Sequence, residues 1–471
     1  MSLSRRNWLW SAGAAGSGFY GLRRLQEYIT RQNRISELRA WGYGPLVSDR
    51  RGLLDLPADF AYQIIGRRGM IMEDGLRLPG YPDGMNAFPG PDGLTLLIRN
   101  HELMPDRIGP WGTDKSLFTR ELSKRVYDRG RLQTPGCGGT TTVVYDTQQQ
   151  KVVRQFLSLA GTWKNCAGGP TPWNSWISCE ETVERAGVHD SRGGSRYFAE
   201  RDHGYNFEVP ARSTPYLTPA EPLKAMGRFR HEAVAVDEKS GIVFQTEDRA
   251  DGLFYRFLPK LPGNLRAGGR LQALAVGNQP AADTRNWDQT LTPFEAGKPY
   301  PTTWVDLPDI DSPNDDLRHR GRKLGAAVFA RGEGAWATPG AVYFACTSGG
   351  AKMKGQIWRY LTSAFEGTDG EAGQSGHLEL FVEANMSELL DSVDNITMSP
   401  WGDLFACEDN GYLSRIVGVT AAGTTYTFAH HHTYSEFTGL TFSPDGSTLF
   451  VNAQQAGLTL AITGPWTPAA P

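Results

Sequence analysis

Acidic side chains recur at two fixed places in a pattern that the sequence repeats along its length. Carboxylates that share one site repel each other unless cations neutralise them, and oxygen ligands of this kind select Ca²⁺ or a similarly hard metal. A single acid of this type is more typical of a solvated surface, so only the shared position predicts a multinuclear metal site. The acids are Glu232, Glu333, Asp394 and Glu436 at the polar starts of one strand, and Glu102, Glu181, Asp248 and either Glu408 or Asp409 at the ends of the next.

One cysteine, Cys166 in the stretch GTWKNCAGG (161–169), occupies a start position that acids fill elsewhere. A thiolate beside several cations is deprotonated and favours a softer, redox-capable metal such as iron, so we expect a mixed cluster. The five cysteines lack C-x-x-C spacing, which indicates neither a disulfide framework nor a zinc knuckle. Cys179, Cys346 and Cys407 share another position in the repeat and are predicted to be small buried apolar side chains.

Arg331 stands two residues before Glu333 in FARGEGAW (329–336). Residues i and i+2 of an extended segment face the same side, so the guanidinium could reach over the metals that Glu333 binds. Arginine fits phosphate oxygens with its planar fork, and metals with an arginine clamp stabilise a transferring phosphoryl group. The plain alternative is a surface salt bridge with a loop acid. Arg249 is a weaker second candidate.

Other catalytic patterns are missing or disfavoured. The sequence has no G-x-S-x-G elbow, Walker loop or H-E-x-x-H helix, which argues against a serine-triad hydrolase and a P-loop enzyme. The run His430–His432 suggests zinc, but adjacent histidines in a strand point to alternate faces and cannot all bind one ion. We therefore expect exposed or hydrogen-bonded histidines there.

Six copies of a two-strand pattern must position these residues. In four copies the distance from the polar start to the end of the following strand is 15 or 16 residues: 166 to 181, 232 to 248, 333 to 348 and 394 to 409. That length fits a β-hairpin, which brings both polar ends together. Six hairpins arranged radially predict an all-β, six-bladed β-propeller with the acids around one central channel, whose mouth is capped by the long insertions 185–225 and 260–320. Two β-sandwiches with coincidental acidic turns are the alternative.

Composition and charge agree with this class. The chain has 55 glycines, 29 prolines and short Val, Ile, Leu, Phe and Tyr runs between turn residues, which favours many short strands over long helices. A net charge of -3 gives no basic face for nucleic acid, so we expect a small-molecule partner. We also expect a monomer. We predict one β-propeller catalytic domain over residues 36–471.

The N-terminal segment, residues 1–35, resembles an export signal. Arg5 and Arg6 precede Trp8, Leu9 and a mildly apolar stretch of small residues, which predicts a twin-arginine signal, partnership with the Tat export machinery and a periplasmic or extracellular location. That route exports folded proteins and suits those that load metals first. The start of a basic amphipathic helix is the alternative.

Ten ordered motifs resemble the PhoX family of alkaline phosphatases, from about Leu56 to Trp466. They are NHE, NCAGGPTPW, SCEE, AMGRFRHEAVAVD, TEDR, FARGEGAW, GQIWRY, DNITMSPWGDLFACED, SEFTGLTFSPDG and AITGPW. The resemblance implies a six-bladed propeller with Tat export and a cofactor of ferric and calcium ions (Fe³⁺, Ca²⁺) with a bridging oxide. It also implies hydrolysis of phosphomonoesters by attack of a metal-bound oxide or hydroxide on phosphorus.

The resemblance assigns roles to individual residues. It implies that Cys166, Glu232 and Glu333 bind metals and that Arg331 holds the substrate phosphate. Further ligands would come from Asp394, Glu408, Glu181, the NHE segment with Asn100 and Glu102, and Asp409.

Two other functions fit parts of the sequence. A calcium-dependent lactonase of propeller fold would need one metal and no Cys166 or Arg331. A non-catalytic propeller with structural calcium would use its loops to bind a partner.

Overall fold

The computed structural model describes residues 42–191, 193–288, 290–411 and 414–467. The predicted export signal with Arg5 and Arg6 lies outside these residues. Among the residues described, no helix combines the length and the apolar character that a membrane crossing requires. The helices are short: α1 (Arg120–Ser123), α2 (Leu317–Lys323) and 3-10 turns at Pro91–Gly93, Gly130–Leu132, Lys224–Met226, Leu265–Ala267 and Asp369–Gly373.

Strands make up most of the regular structure. The first half of the chain contains β1 (Leu46–Val47), β2 (Leu54–Pro57), β3 (Ala61–Arg67), β4 (Pro82–Pro89), β5 (Thr95–His101), β6 (Gly138–Asp146), β7 (Lys151–Thr162), β8 (Asn165–Pro170), β9 (Ser175–Glu180), β10 (Gly187–Asp190), β11 (Arg196–Ala199), β12 (Asn206–Pro210), β13 (His231–Val236) and β14 (Val243–Glu247). The second half contains β15 (Phe254–Pro259), β16 (Gly269–Val276), β17 (Pro299–Asp306), β18 (Gly332–Thr338), β19 (Ala341–Cys346), β20 (Gln356–Leu361), β21 (His377–Glu383), β22 (Val393–Met398), β23 (Leu404–Glu408), β24 (Arg415–Val419), β25 (Thr425–His431), β26 (Phe437–Phe442), β27 (Thr448–Ala453) and β28 (Leu458–Thr463).

The strands pair antiparallel in successive sheets. One sheet has the order β4-β5-β6-β7, a second β12-β9-β8, and a third β26-β27-β28-β3, in which an early strand completes the last sheet. A nine-stranded sheet joins β13–β16 to β18–β21 through β17, and a six-stranded sheet has the order β1-β2-β25-β24-β23-β22. A separate hairpin is formed by β10 and β11.

Six strands line the centre of this arrangement: β4, β8, β13, β18, β22 and β26. Each contacts the next in chain order, and β26 contacts β4, so the ring is closed. The predicted all-β, propeller-like fold is confirmed, which leaves no place for two separate sandwiches. The number of six blades stays a prediction, because two of the repeats share the nine-stranded sheet and one has only three strands.

Apolar clusters fill the spaces between neighbouring sheets. Phe254 of β15 stacks on Phe344 of β19 with ring centroids 4.1 Å apart, and both belong to the cluster between the third and fourth repeats. Cys179, Cys346 and Cys407 are free thiols with no exposed surface in three such clusters, as predicted. Packing between sheets thus holds the central strands close together.

Candidate metal centre

The hairpins bring their two ends together at one end of the central ring. The first residue of each inner strand pairs with the last residue of the following strand, as in Asn165 with Glu180 and Val393 with Glu408. The same pairing joins His231 to Glu247. The residues at both ends of each hairpin therefore gather around one mouth, as the sequence predicted.

Each inner strand is bulged just after its first paired residues. In β13, for example, Glu232 and Ala233 lie opposite one residue of β14, because pairing resumes only at Val234. A bulge of this kind bends the strand and re-aims a side chain. The first unpaired residues of the six bulges are Asp83, Cys166, Glu232, Glu333, Asp394 and Gly439. Five of these six positions therefore carry a side chain that can bind a metal.

The backbone before the bulge is also unusual. The residue two positions before the ligand has a positive φ in four of the inner strands: 45° at Tyr81, 51° at Lys164, 54° at Arg331 and 56° at Ser392. Non-glycine residues with positive φ are uncommon and cluster at functional sites, because the strain must be held by the surrounding structure.

The residues at the hairpin ends divide between two faces. Glu180 accepts hydrogen bonds from His203 and Trp163, Glu247 accepts one from Tyr255, and Glu408 accepts two from Arg415. These three acids thus bind residues outside the ring. The residue that follows each of them in the chain is acidic too and faces the centre, since successive side chains of an extended strand alternate. These central acids are Glu181, Asp248 and Asp409, and Glu102 holds the same position in the first repeat.

The central groups form contiguous clusters of possible ligand atoms. Within each cluster these atoms lie within 4.8 Å of one another. Glu232 belongs to two clusters and links Cys166 to the acids on the other side of the ring. The Cys166 Sγ lies 3.6 Å from the Asp83 Oδ2. The clusters are Asp83–Glu102–Cys166, Cys166–Glu181–Glu232 and Glu232–Glu333–Asp394.

Several of these oxygens have no hydrogen-bond partner among the residues described. Both carboxylate oxygens of Glu232 are buried and unpartnered, and so is the Oδ1 atom of Asp83. Buried polar atoms are almost always hydrogen-bonded, and a buried carboxylate without a partner is costly. The donor set of one thiol and several carboxylates therefore fits metal cations, which would satisfy these atoms.

The electrostatics of the protein alone oppose ionisation of the set. Burial, followed by repulsion from neighbouring carboxylates, raises the pKa of Asp83, Glu232 and Glu333 well above the usual range. Burial and then Asp409 raise the pKa of Asp394 to about 8. Burial and then Asp83 likewise raise the pKa of the Cys166 thiol. The chain alone thus favours protonated ligands, and only nearby cations would favour the charged forms.

Three basic side chains lie at the mouth. The Nε atom of Arg331 lies 2.8 Å from the Asp248 Oδ1, and its Nη2 atom lies 2.9 Å from the Glu333 Oε1. Lys164 contacts Glu102 at 3.1 Å and also Glu181, and Arg230 lies 3.5 Å from Glu181. The side chains of Arg331, Lys164 and Arg230 are 36%, 33% and 37% exposed, whereas Glu232 is buried. The mouth is therefore cationic and open to solvent above a buried acidic ring.

The channel closes directly below the ring. A cavity of about 30 Å³ is lined by the small residues Gly84, Ala167, Ala233 and Gly334 and their neighbours. An added Cβ at Gly84 would lie 2.5 Å from the Ala167 Cα, so the inner strands approach too closely for a larger residue. This volume is about that of one water molecule. The inner strands thus pack closely on the side of the ring away from the mouth.

The long insertions contact the rim of this mouth. Trp163, next to Lys164, stacks against His203 at 4.0 Å and meets Tyr197 of β11 edge-on. Asp315, from the insertion that ends before β18, binds Arg249 beside Asp248. Arg249, the weaker phosphate candidate, thus has an acidic partner.

Comparison with known proteins identifies the family. The family described as Alkaline phosphatase PhoX matches residues 41–457. The chain belongs to the PhoX family of alkaline phosphatases. Its members are phosphomonoesterases, and membership implies dependence on metal ions.

A solved structure of the family shares the fold of this chain. Pseudomonas fluorescens PhoX in complex with vanadate, a transition state analogue, is 18% identical with a TM-score of 0.65, over 91% of this chain and 98% of that one. A gluconolactonase from Xanthomonas campestris is 11% identical with a TM-score of 0.38, over 90% of this chain and 98% of that one. No curated protein sequence matches the chain.

Most residues implied by the likeness to PhoX meet in the ring, but two do not. Both oxygens of Glu408 bind Arg415, and one also accepts the backbone N–H of Asp391. The Asn100 side chain donates to the Cys166 and Ala167 carbonyls and accepts from Trp176 and Ser178. The structure therefore brings together Cys166, Glu232, Glu333, Asp394, Glu181 and Glu102, with Asp409 at the rim beside Arg331, and holds Glu408 and Asn100 in other contacts.

Sequence reasoning missed three residues of the site. Asp83 was not among the predicted ligands, although its position in the bulge is equivalent to that of Cys166 and Glu232. Lys164 and Arg230 stand two residues before a ligand, the offset that singled out Arg331. Applying that offset to every repeat would have found both.

Glu436 differs from its predicted equivalents. It precedes β26, and the ligand position of that bulge is occupied by Gly439 instead. Burial and then Asp409 raise the pKa of Glu436 to about 10, and its Oε1 accepts from Gln455. Glu436 therefore lies beside the ring and not at a bulge.

Proposed function

We propose that this chain is an exported phosphatase that hydrolyses phosphomonoesters at a mixed centre of ferric and calcium ions. The observation that carries the proposal is the buried, unpartnered carboxylate of Glu232, which lies between a thiol cluster and an all-carboxylate cluster beneath Arg331. A thiol suits iron and a set of carboxylates suits calcium, so one ring offers both types of site. The vanadate, a transition state analogue, in the PhoX structure supports a phosphate ester as substrate.

The ligand set that we propose follows the bulges. Asp83, Cys166, Glu232, Glu333 and Asp394 would bind the ions directly, and Glu102, Glu181 and Asp409 would complete the coordination at the rim. Glu408 and Asn100 are left out because their polar atoms already have partners. When bound, the cations would activate the nucleophile and neutralise charge on the phosphoryl group.

Arg331 is the residue that we assign to the substrate phosphate. Asp248 and Glu333 hold its guanidinium over the ring, and the side chain is still 36% exposed, so a phosphate at the mouth can reach it. Lys164 adds a second cation next to Glu181. An arginine placed in advance stabilises the charge of the transferring group without reorganising in the transition state.

Elemental analysis of the purified protein, together with hydrolysis of a chromogenic phosphomonoester, tests the proposal. We expect iron and calcium in the wild type, and a loss of iron and of phosphate release in Cys166→Ala. Cys179→Ala is the matched control, because this thiol is buried in an apolar cluster and should affect neither. Calcium without iron, and no phosphate release by the wild type, would contradict the proposal and favour a lactonase or a binding propeller.

We also propose that the protein reaches the periplasm or the cell exterior through the twin-arginine pathway and works as a monomer. Arg5 and Arg6 carry this part of the proposal. Replacing both by lysine should leave the protein in the cytoplasm, as measured by cell fractionation. Unchanged export of the double variant would refute the twin-arginine route.

A further inference from the structure

A second group of possible metal ligands lies away from the central ring, on the neighbouring outer strands β2 and β25 of the six-stranded sheet. It consists of Asp55 from β2 and of His430 and His432 at the end of β25, and the possible ligand atoms of the three lie within 4.8 Å of one another. We propose that these residues bind one zinc-class divalent ion that fastens the early part of the chain to the propeller.

Strand geometry places the three side chains on one face. Asp55 pairs directly with His430 across the β2–β25 ladder, and directly opposite residues share a face. His432 follows His430 by two positions, which returns its side chain to the same face. His431 points the other way, is buried and bonds to Thr433. The sequence argument that three adjacent histidines cannot share one ion thus holds for His431 but leaves the i, i+2 pair available.

The distances fit a small cation. The Asp55 Oδ2 lies 2.8 Å from the His432 Nε2 and 4.0 Å from the His430 Nδ1. Zinc bonds of about 2.1 Å in tetrahedral geometry separate ligand atoms by roughly 3.4 Å, which lies between these two values. Two imidazoles and one carboxylate are a donor set typical of zinc, whereas calcium prefers oxygen ligands alone.

The surroundings orient the carboxylate and leave access from solvent. The backbone N–H of Asp49 donates to the Asp55 Oδ1 at 2.7 Å, which leaves Oδ2 directed at the histidines. A hydrogen bond of this kind fixes the orientation of a metal ligand. The His432 side chain is 37% exposed, so a water molecule can fill the fourth position. Arg415 pairs with His430 on the other side, but both oxygens of Glu408 compensate its charge.

The place in the fold suggests what the ion does. Strand β2 pairs with β25 at only two positions, and the chain then continues into β3, which completes the last sheet. Few backbone hydrogen bonds therefore join β2 to β25. An ion shared by Asp55, His430 and His432 would join β2 to β25 and so stabilise the closure of the ring.

Zinc uptake by the full-length, untagged protein tests the site. The wild type and His430→Asn/His432→Asn are dialysed against Zn²⁺ in calcium-containing buffer, and zinc, iron and calcium are counted per chain. We expect the double variant to bind one zinc fewer than the wild type, with unchanged iron, calcium and phosphatase activity. Zinc should raise the melting temperature of the wild type and not that of the variant.

Two further variants complete the test, one as a second probe of the site and one as a control. Asp55→Asn keeps the acceptor for Asp49 but removes the charge, so it should weaken zinc binding at least about tenfold even if the double variant does not fold. His319→Asn removes another histidine that faces an acid, Asp251 at 3.5 Å, but this pair has no third ligand among the residues that the structure describes, so the variant should bind as much zinc as the wild type. Equal zinc in the wild type, the double variant and Asp55→Asn would refute the site, as would an equal loss in His319→Asn.

Discussion

Two sets of acids that are neighbours in the sequence have opposite surroundings in this protein. The outward set, Glu180, Glu247 and Glu408, binds histidine, tyrosine and arginine partners outside the ring. The central set consists of the residues that directly follow them, Glu181, Asp248 and Asp409, together with the bulge residues Asp83, Glu232, Glu333 and Asp394. A shift of one residue along a strand thus separates acids that stabilise the fold from acids that gather around an open mouth.

The difference shows how a propeller can concentrate negative charge without losing its fold. Charged partners inside the protein compensate Glu180 and Glu408, and Glu247 has Tyr255 on one oxygen and Arg318 at 3.8 Å from the other. The central acids are compensated incompletely, and Glu232 has no partner at all among the described residues. Buried charge that the protein leaves unpaired is costly, so its retention indicates a ligand.

The largest effect is expected from Glu232→Gln, at the middle of the central set. The amide would not neutralise cations on both sides of the ring, so we expect the loss of bound metal and a fall in kcat/KM of about a thousandfold, or about 4 kcal/mol of transition-state stabilisation. Because the carboxylate has no partner in the protein, the metal-free fold should be at least as stable as the wild type. Steady-state kinetics, elemental analysis and melting of the metal-free protein measure these three quantities.

The opposite result would contradict this division of the acids. A Glu232→Gln protein that keeps its metals and activity but melts well below the wild type would move Glu232 into the outward set.

The sequence could predict the fold and the ring because both depend on local repeats. Hairpin length, turn residues and the recurring polar ends are visible without any long-range contact, and they led to the propeller-like arrangement and to Cys166, Glu232, Glu333 and Asp394. The sequence could not separate Glu408 from Asp409, since two adjacent acids at a strand end look equivalent until the strand register is known. That register follows from pairing with β22 and from the position of its bulge.

Bulges are the other feature that the sequence conceals. Glu436 stands before β26 and therefore before the bulge, whose first unpaired residue is Gly439, so the first acid of this repeat does not occupy the ligand position. The sequence did not predict the site formed by Asp55, His430 and His432 for a different reason. Its members lie 375 residues apart and meet only because β2 adds to the sheet of β25.

A stability effect is expected from Glu408→Ala, in the outward set. Glu408 is fully buried and holds Arg415, so its removal leaves a guanidinium without its carboxylate and should lower the free energy of unfolding by about 3 kcal/mol. Metal content should not change. Asp409→Asn, one residue later, is the matched variant and should reduce activity with little loss of stability. Denaturant unfolding, elemental analysis and phosphatase kinetics of both variants measure these effects. An exchange of the effects between the two variants would contradict the division.

The pH dependence of stability tests the outward set through His203, the partner of Glu180. Burial lowers the pKa of this histidine, but Glu180 and Asp128 outweigh it and raise the pKa to about 9, against 6.5 usually. The protonated form is therefore favoured by folding. The stabilisation that follows from this raised pKa is about 3 kcal/mol. It is fully present below pH 6.5 and is lost as the pH rises through 9.

We expect the unfolding free energy of the wild type to fall more steeply between pH 6.5 and 9.5 than that of His203→Gln. Both proteins are compared in the same calcium buffer, so that titration of the central acids contributes equally. Equal slopes would mean that Glu180 is not compensated by a charged histidine.

The smallest effect is expected from Lys164→Met, where the two sets are least distinct. Glu181 is a central acid that nevertheless has a cation, and burial raises its pKa to about 7 while Lys164 opposes the rise. The lysine is one third exposed, so its pairing energy is screened and we expect about 1 kcal/mol, seen as a roughly fivefold increase in KM with kcat nearly unchanged. If kcat fell a hundredfold instead, Lys164 would act on the transition state together with Arg331, and the cationic mouth would be part of the catalytic centre and not only a guide for the substrate.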